Sequence, residues 1–201
     1  MIGNIFGIEK LRVNDGPGIT TLVGMYKCPL NCEYCLNNPI TVYRKYTIEE
    51  LFNEVFPHAL YYESTGGGIC FGGHEPLLQQ PFIKEFIKYV KNQNLIWKFG
   101  LETSLNTIID PELILMVDYL IIDIKDINPE IYKKYTEKDN HLVLDNLKLL
   151  RTYKNVDIKI RLPYISNYNT EEDILKSKEY LKNIGYSEKQ FNIFTYKTKE
   201  D

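Results

Sequence analysis

Cys28, Cys32 and Cys35 stand within eight residues, in Cys28-Pro-Leu-Asn-Cys32-Glu-Tyr-Cys35, and Cys70 is the only other cysteine of the chain. The spacing Cys-x3-Cys-x2-Cys puts three thiolate ligands on one loop. Thiolates are the usual ligands of iron–sulfur clusters, and a four-iron cluster held by three of them leaves one iron open to another ligand. The rival is zinc, which wants four ligands and commonly takes paired Cys-x2-4-Cys elements. The further soft donors for that purpose are Cys70, His58, His74 and His141. The spacing favours a cluster with an open site, and no Ser/His/Asp set or pair of carboxylates in the chain makes a competing catalytic arrangement.

Such a loop has to be positioned by regular elements, and those are legible on either side of it. Residues 19–27 are rich in β-branched and apolar side chains and predict a strand, entered through the Asp15-Gly-Pro-Gly18 turn and running directly into the cysteines. Thr47-Ile-Glu-Glu50 is a capping box opening a helix with Ile48, Leu51, Phe52 and Val55 at helical spacing, and Pro57 breaks it. Further strands are predicted at 69–71, 97–101, 119–125, 157–162 and 191–196. Between them, helices are predicted from Pro81, from Asp110-Pro111, over 129–153 in two pieces around Asp139-Asn140, and from Thr170 to near Gly185.

Alternating strands and helices imply right-handed βαβ units and a parallel sheet. A doubly wound sheet and a curved partial barrel both satisfy this pattern. In either, ligands gather at the carboxyl ends of the strands. Those ends carry Cys28 to Cys35, Gly72 to Glu75, Glu102 with Thr103, Asp123 with Lys125, Arg161 and Lys197. One active face on a single domain spanning 1–201 is the expectation.

Composition narrows the classes of partner. The net charge of −3 offers no basic field for nucleic acid. No apolar run approaches the roughly 20 residues of a membrane span. The N-terminal stretch lacks the basic and long apolar regions of a secretory signal, so a cytoplasmic location is expected. In that compartment four cysteines imply metal or redox use, not a disulfide framework.

Cys-x3-Cys-x-aromatic-Cys, with Tyr34 in the aromatic slot, resembles the signature of radical S-adenosylmethionine (SAM) enzymes. Asp15-Gly-Pro-Gly-Ile-Thr-Thr21 resembles the Asp-Gly-Pro-Gly-Ile-Arg-Thr stretch of glycyl-radical-enzyme activating enzymes. The Gly-rich block from Ser64 to Gln79 resembles that family's Ser-Gly-Gly-Gly…Ser-Gly-Gly-Glu-Pro-Leu-Leu-Gln. The resemblance covers essentially the whole chain. It implies an α/β fold of the radical SAM type, a partial (β/α)6 barrel. It further implies a [4Fe-4S] cluster on Cys28, Cys32 and Cys35, with SAM on the open iron.

By the same resemblance, Tyr34, Cys35 and Leu36 would lie near the SAM adenine. Gly72, Gly73 and His74, followed by Glu75, would offer backbone to its amino group. Asp123 and Lys125 would face its sugar and carboxylate. Glu102, Thr103 and Asp123 would form a monovalent-cation site, with helix-capping or ion-paired carboxylates as the plainer reading of Glu102 and Asp123. Arg161 is a candidate partner for a carboxylate of SAM, substrate or protein. Thr20, Leu36, His74, Ser104-Leu105 and Lys197 depart from the family pattern. His74 is read either as a packed or solvated loop histidine or as a contact to cofactor or substrate. Cys70 is read as a small buried hydrophobe or as a thiol hydrogen donor.

The implied activity is reductive cleavage of SAM to a 5′-deoxyadenosyl radical that takes hydrogen from a glycine of a partner glycyl-radical enzyme, with flavodoxin or ferredoxin as electron donor. A peptide or small-molecule substrate is the alternative. A non-catalytic zinc- or cluster-binding module is the third reading.

Overall fold

The computed structural model describes residues 1–37 and 40–196. Eight strands form one sheet: β1 (Ile2–Arg12), β2 (Thr20–Met25), β3 (Arg44–Thr47), β4 (Gly68–Gly73), β5 (Lys98–Thr103), β6 (Tyr119–Asp123), β7 (Asp157–Tyr164) and β8 (Phe191–Thr195). Their spatial order is β3-β1-β2-β4-β5-β6-β7-β8. The run from β2 to β8 is parallel throughout, so the six predicted strands are all present in sequence order. The open, parallel-dominated α/β sheet is the partial-barrel core.

Two strands were not expected. β1 pairs antiparallel with β2, and β3 pairs antiparallel with β1, extending the sheet on its first edge. β1 carries Gly3, Asn4 and Gly7, which weaken a strand signal, and irregularities interrupt its pairing between Ile5 and Gly7 and between Glu9 and Arg12. β3 is four largely polar residues, Arg-Lys-Tyr-Thr, with no alternation to read.

The helices are α1 (Ile48–Val55), α2 (Ala59–Thr65), α3 (Gln80–Asn92), α4 (Pro111–Met116), α5 (Pro129–Thr136), α6 (His141–Leu150) and α7 (Glu171–Asn183). Local chemistry sets their ends. Thr47 and Glu50 form the reciprocal capping box of α1, and Asp110 caps α4 with Pro111 in its first turn. Gly66, at φ +68°, closes α2 in the left-handed conformation that glycine adopts without penalty.

The period of two along each strand separates the sheet's faces. Val23, Ile69, Phe71, Phe99, Leu101, Leu120, Ile122, Ile158 and Ile160 pack into the large core. The alternate residues face the other way. There Leu22, Cys70, Tyr119 and Ile121 form a small apolar floor. One step further along the same rows lie Gly72, Glu102, Asp123 and, cross-strand from Asp123, Arg161. Apolar floor and polar rim are therefore consecutive tiers of one face.

The floor is tightly fitted. Tyr119 donates its hydroxyl to the Asp15 carbonyl at 2.8 Å, tying the turn before β2 to β6. Gly100 lies under that ring: a Cβ on it would sit 2.1 Å from Tyr119 ring carbons. Gly100→Ala is expected to destabilise the fold by about 1–3 kcal/mol, the usual cost of overpacking. The denaturant midpoint reads this, and an unchanged midpoint would contradict the fit described.

Candidate active site

The cysteine loop leaves β2 at its carboxyl end and has no regular hydrogen-bond ladder, so its polar backbone has to be met from outside. Two elements do this. At the C-terminal end of α5, Asn31 donates its N–H to the Thr136 carbonyl at 3.0 Å, and Glu33 to the Tyr135 carbonyl at 3.3 Å. These are carbonyls that a helix end leaves unsatisfied. On the other side, the turn after β4 binds the start of the loop: Glu75 donates its N–H to the Lys27 carbonyl at 3.0 Å, and His74 to the Met25 carbonyl at 3.3 Å.

Glu75 is 1% exposed, and its carboxylate accepts from Thr103 Oγ1 at 2.6 Å, Ser104 Oγ at 2.7 Å, Ser104 N at 3.0 Å and Leu77 N at 3.2 Å. Burial pushes its pKa up, against the pull of those donors. It acts as the bracket of the site. The Thr103 hydroxyl is committed to it and also accepts from Leu105 N at 3.0 Å.

A cavity of about 410 Å³ opens over this bracket. Cys28, Cys32, Cys35 and Leu36 line it from the loop, with Gly73, His74 and Glu75 from the β4 turn. Glu102, Thr103, Asp123, Lys125 and Arg161 line it from the ends of β5 to β7. Most of the sequence-predicted residues thus converge on one space. Tyr34 and Gly72 lie outside that lining. The Tyr34 ring packs edge-on against Tyr168, with centroids 5.8 Å apart, and tilted on Tyr135 at 6.1 Å. Gly72 lies behind Glu102, whose Cβ would be 3.0 Å from a Cβ placed on the glycine. Lys197 falls outside the described residues.

The carboxylates considered for a monovalent cation each face a cation of the chain itself. Lys125 Nζ donates to Asp123 Oδ2 at 2.6 Å, and Arg161 Nη1 donates to Glu102 Oε1. Burial opposes the charge on Lys125, yet Asp123 beside it holds the ammonium's pKa well above the ordinary value. Burial also raises the Glu102 pKa, against the pull of Arg161. The Lys125 ammonium lies 5.2 Å from the Tyr196 ring centroid. Asp123 Oδ1 is buried without a hydrogen-bond partner, on a residue that lines the cavity.

Glu9, Arg12, Asn14 and Asp15 complete the wall from β1 and the turn after it. Arg12 pairs with Asp15 and Glu9. Only Asp15 of these stood out in the sequence, as part of its Gly-Pro-Gly motif. The others ride on the strand whose pattern was too weak to read. Cys70 lies in the floor at 0% exposure, and burial drives its thiol pKa well above the usual range.

The donor set fits a [4Fe-4S] cluster with SAM. The three thiols border one cavity, and in a cluster each thiolate takes its own iron. The orphaned Asp123 Oδ1 suits a hydroxyl-bearing ligand.

An open α/β barrel with three cysteines on a loop at the carboxyl ends of its strands defines a class of cluster enzyme, and comparison with known proteins identifies it. The family described as "Radical SAM superfamily" matches residues 22–181. The chain belongs to the radical SAM superfamily and is a radical SAM enzyme, using a [4Fe-4S] cluster and SAM.

It is 32% identical over 209 residues to a pyruvate formate-lyase-activating enzyme of Staphylococcus epidermidis, covering 96% of this chain and 81% of the relative. It is 30% identical over 208 residues to the enzyme of the same name from Staphylococcus aureus strain USA300, with the same coverage. Among solved structures it is similar to Streptococcus suis SuiB bound to precursor peptide SuiA, with a TM-score of 0.65 and 12% identity over 87% of this chain and 38% of that one. It is also similar to native anSMEcpe with bound AdoMet, with a TM-score of 0.63 and 21% identity over 86% and 49%. These two likenesses concern the fold. No helix among the described residues is long and apolar enough to cross a membrane.

Cys32 is 7% exposed, and burial pushes its thiol pKa up from 9.0 to about 11. A thiol pKa raised by two units leaves about 100-fold less thiolate at a given pH below both values. The greater nucleophilicity of a higher-pKa thiolate offsets part of this, so alkylation of Cys32 in the cluster-free protein at pH 8 is expected to run about tenfold or more slower than in a free thiol, rising as the pH approaches 11. Mass spectrometry of the labelled peptide measures it. Labelling as fast as a free thiol would contradict the buried placement.

Proposed function

We propose that the chain is a glycyl-radical-enzyme activating enzyme, which takes a hydrogen atom from a glycine Cα in a loop of a partner protein. The observation carrying this reading is the cavity, in which the cysteine loop, the Glu75 bracket and the strand-end charges share one space of about 410 Å³. Similarity over 96% of the chain to relatives named as pyruvate formate-lyase-activating enzymes supports the choice of partner.

When bound, the cluster and SAM supply the electron and the hydrogen-abstracting radical, so the protein's task is binding, orientation and exclusion of water. Cys28, Cys32 and Cys35 would hold the cluster. Five lining carboxylates, those of Glu9, Asp15, Glu75, Glu102 and Asp123, outnumber three lining cations, Arg12, Lys125 and Arg161. That surplus suits a ligand bearing a sulfonium and an ammonium against one carboxylate. Lys125, fixed by Asp123, would meet the carboxylate. Asp123 Oδ1, buried without a partner, would accept from a sugar hydroxyl of the bound ligand. Leu22 lines the cavity with apolar surface and packs on the buried Cys70, Tyr119 and Ile121 cluster, an apolar side that favours exclusion of water. Reduced flavodoxin or ferredoxin is the electron donor that completes the reading.

The test is anaerobic incubation with SAM, a reductant and a glycyl-radical enzyme. The reading predicts 5′-deoxyadenosine together with a glycyl radical on the partner by electron paramagnetic resonance. Cys32→Ala should abolish both. Release of 5′-deoxyadenosine with a modified peptide or small molecule, and no radical on any glycyl-radical enzyme tried, would overturn the choice of substrate.

A further inference from the structure

His74 either takes the place of the second glycine of the family's Gly-Gly-Glu or is inserted before the glutamate, and both of its ring nitrogens are engaged. Lys27 donates its backbone N–H to His74 Nδ1 at 3.1 Å. His74 Nε2 lies 2.8 Å from the carbonyl of Asn37. An Nδ1 that accepts leaves the ring hydrogen on Nε2, so the ring is an acceptor at one end and a donor at the other. The two partners flank the cysteines: Lys27 immediately precedes Cys28, and Asn37 follows Cys35 by two residues.

The surrounding contacts make this a closed arrangement. Asn37 Nδ2 donates to the Gly73 carbonyl at 2.8 Å, so residues 73–74 and Asn37 bind each other in both directions. The Lys27 carbonyl accepts from Glu75 N at 3.0 Å. Lys27 itself sits at φ +86°, a region that side-chain-bearing residues rarely adopt and that persists only where neighbours fix it. That conformation turns the chain out of β2 toward the cavity. The imidazole packs tilted against the rings of Phe6 and Tyr26, with centroids 4.8 Å and 5.8 Å away.

We propose that His74 is a positioning residue, a latch whose two ring nitrogens pin both ends of the cysteine loop so that the three thiolates keep the spacing a cluster requires. Glycine at this position would leave the Lys27 N–H and the Asn37 carbonyl without these partners. The inference rests on reading Cys28–Cys35 as the cluster loop.

The test uses anaerobically reconstituted holoenzyme and follows iron release to a ferrous chelator, with the electron paramagnetic resonance line shape of the reduced cluster as a second readout. Two hydrogen bonds of ordinary net strength correspond to release on the order of tenfold faster in His74→Ala. His74→Phe keeps a ring against Phe6 and Tyr26 but cannot make either bond, and is expected to release iron as fast as the alanine variant, with a broadened line. His74→Asn retains an acceptor near the Nδ1 position and should fall between. Release from His74→Phe as slow as from the native protein would overturn the latch and leave only ring packing. Release from His74→Asn and His74→Ala at the native rate would overturn it as well. The Asn variant, the mildest, covers a failure of the Phe variant to fold. Retention of a full cluster by Cys32→Ala would instead overturn the cluster reading on which the proposal rests.

Discussion

Glu75 ties three parts of the molecule together through one buried carboxylate and one N–H. Its oxygens hold Thr103 and Ser104 at the end of β5, and its own backbone holds Lys27 at the exit of β2. Hydrogen bonds to a charged acceptor are the stronger kind, and a buried carboxylate stripped of them is costly. The cysteine loop has no ladder of its own, so its placement depends on this bracket on one side and on the end of α5 on the other. Phe71, one strand position before the Gly72-Gly73 turn, is fully buried in the large core, which makes the bracket rigid.

The two faces of the sheet do different work. The outward-facing aliphatic and aromatic residues bury against the helices and supply most of the stabilising area. The inward face is sparse: a few apolar groups at the floor, then glycine and charged residues at the rim. Such a face contributes little to stability and leaves room for ligands. The ion pairs Lys125–Asp123 and Arg161–Glu102 make its charges tolerable while keeping them next to the cavity.

Much of this was legible in the chain. Six parallel strands, the strand-end location of the site and the three-thiolate loop follow from period, turn chemistry and spacing, because each is local. β1 and β3 were not legible, since their pairing is set by distant partners and their residues lack apolar alternation. Glu9 and Arg12 were lost with β1. The inventory of polar strand ends named Glu75 and Thr103 but could not separate ligand from bracket, which depends on hydrogen-bond partners far along the chain. His74 stood out only as a departure from a glycine pattern. Its double engagement with Lys27 and Asn37 is a property of the folded loop.

Cys28, Cys32 and Cys35 would hold a four-iron cluster with one iron left open for SAM. Mössbauer spectroscopy of the 57Fe-reconstituted protein, with and without SAM, tests this most directly. One iron in four should change its isomer shift and quadrupole splitting when SAM is added, and the other three should stay as they were. Four irons unchanged by SAM, or a colourless protein binding zinc in place of iron, would contradict the account.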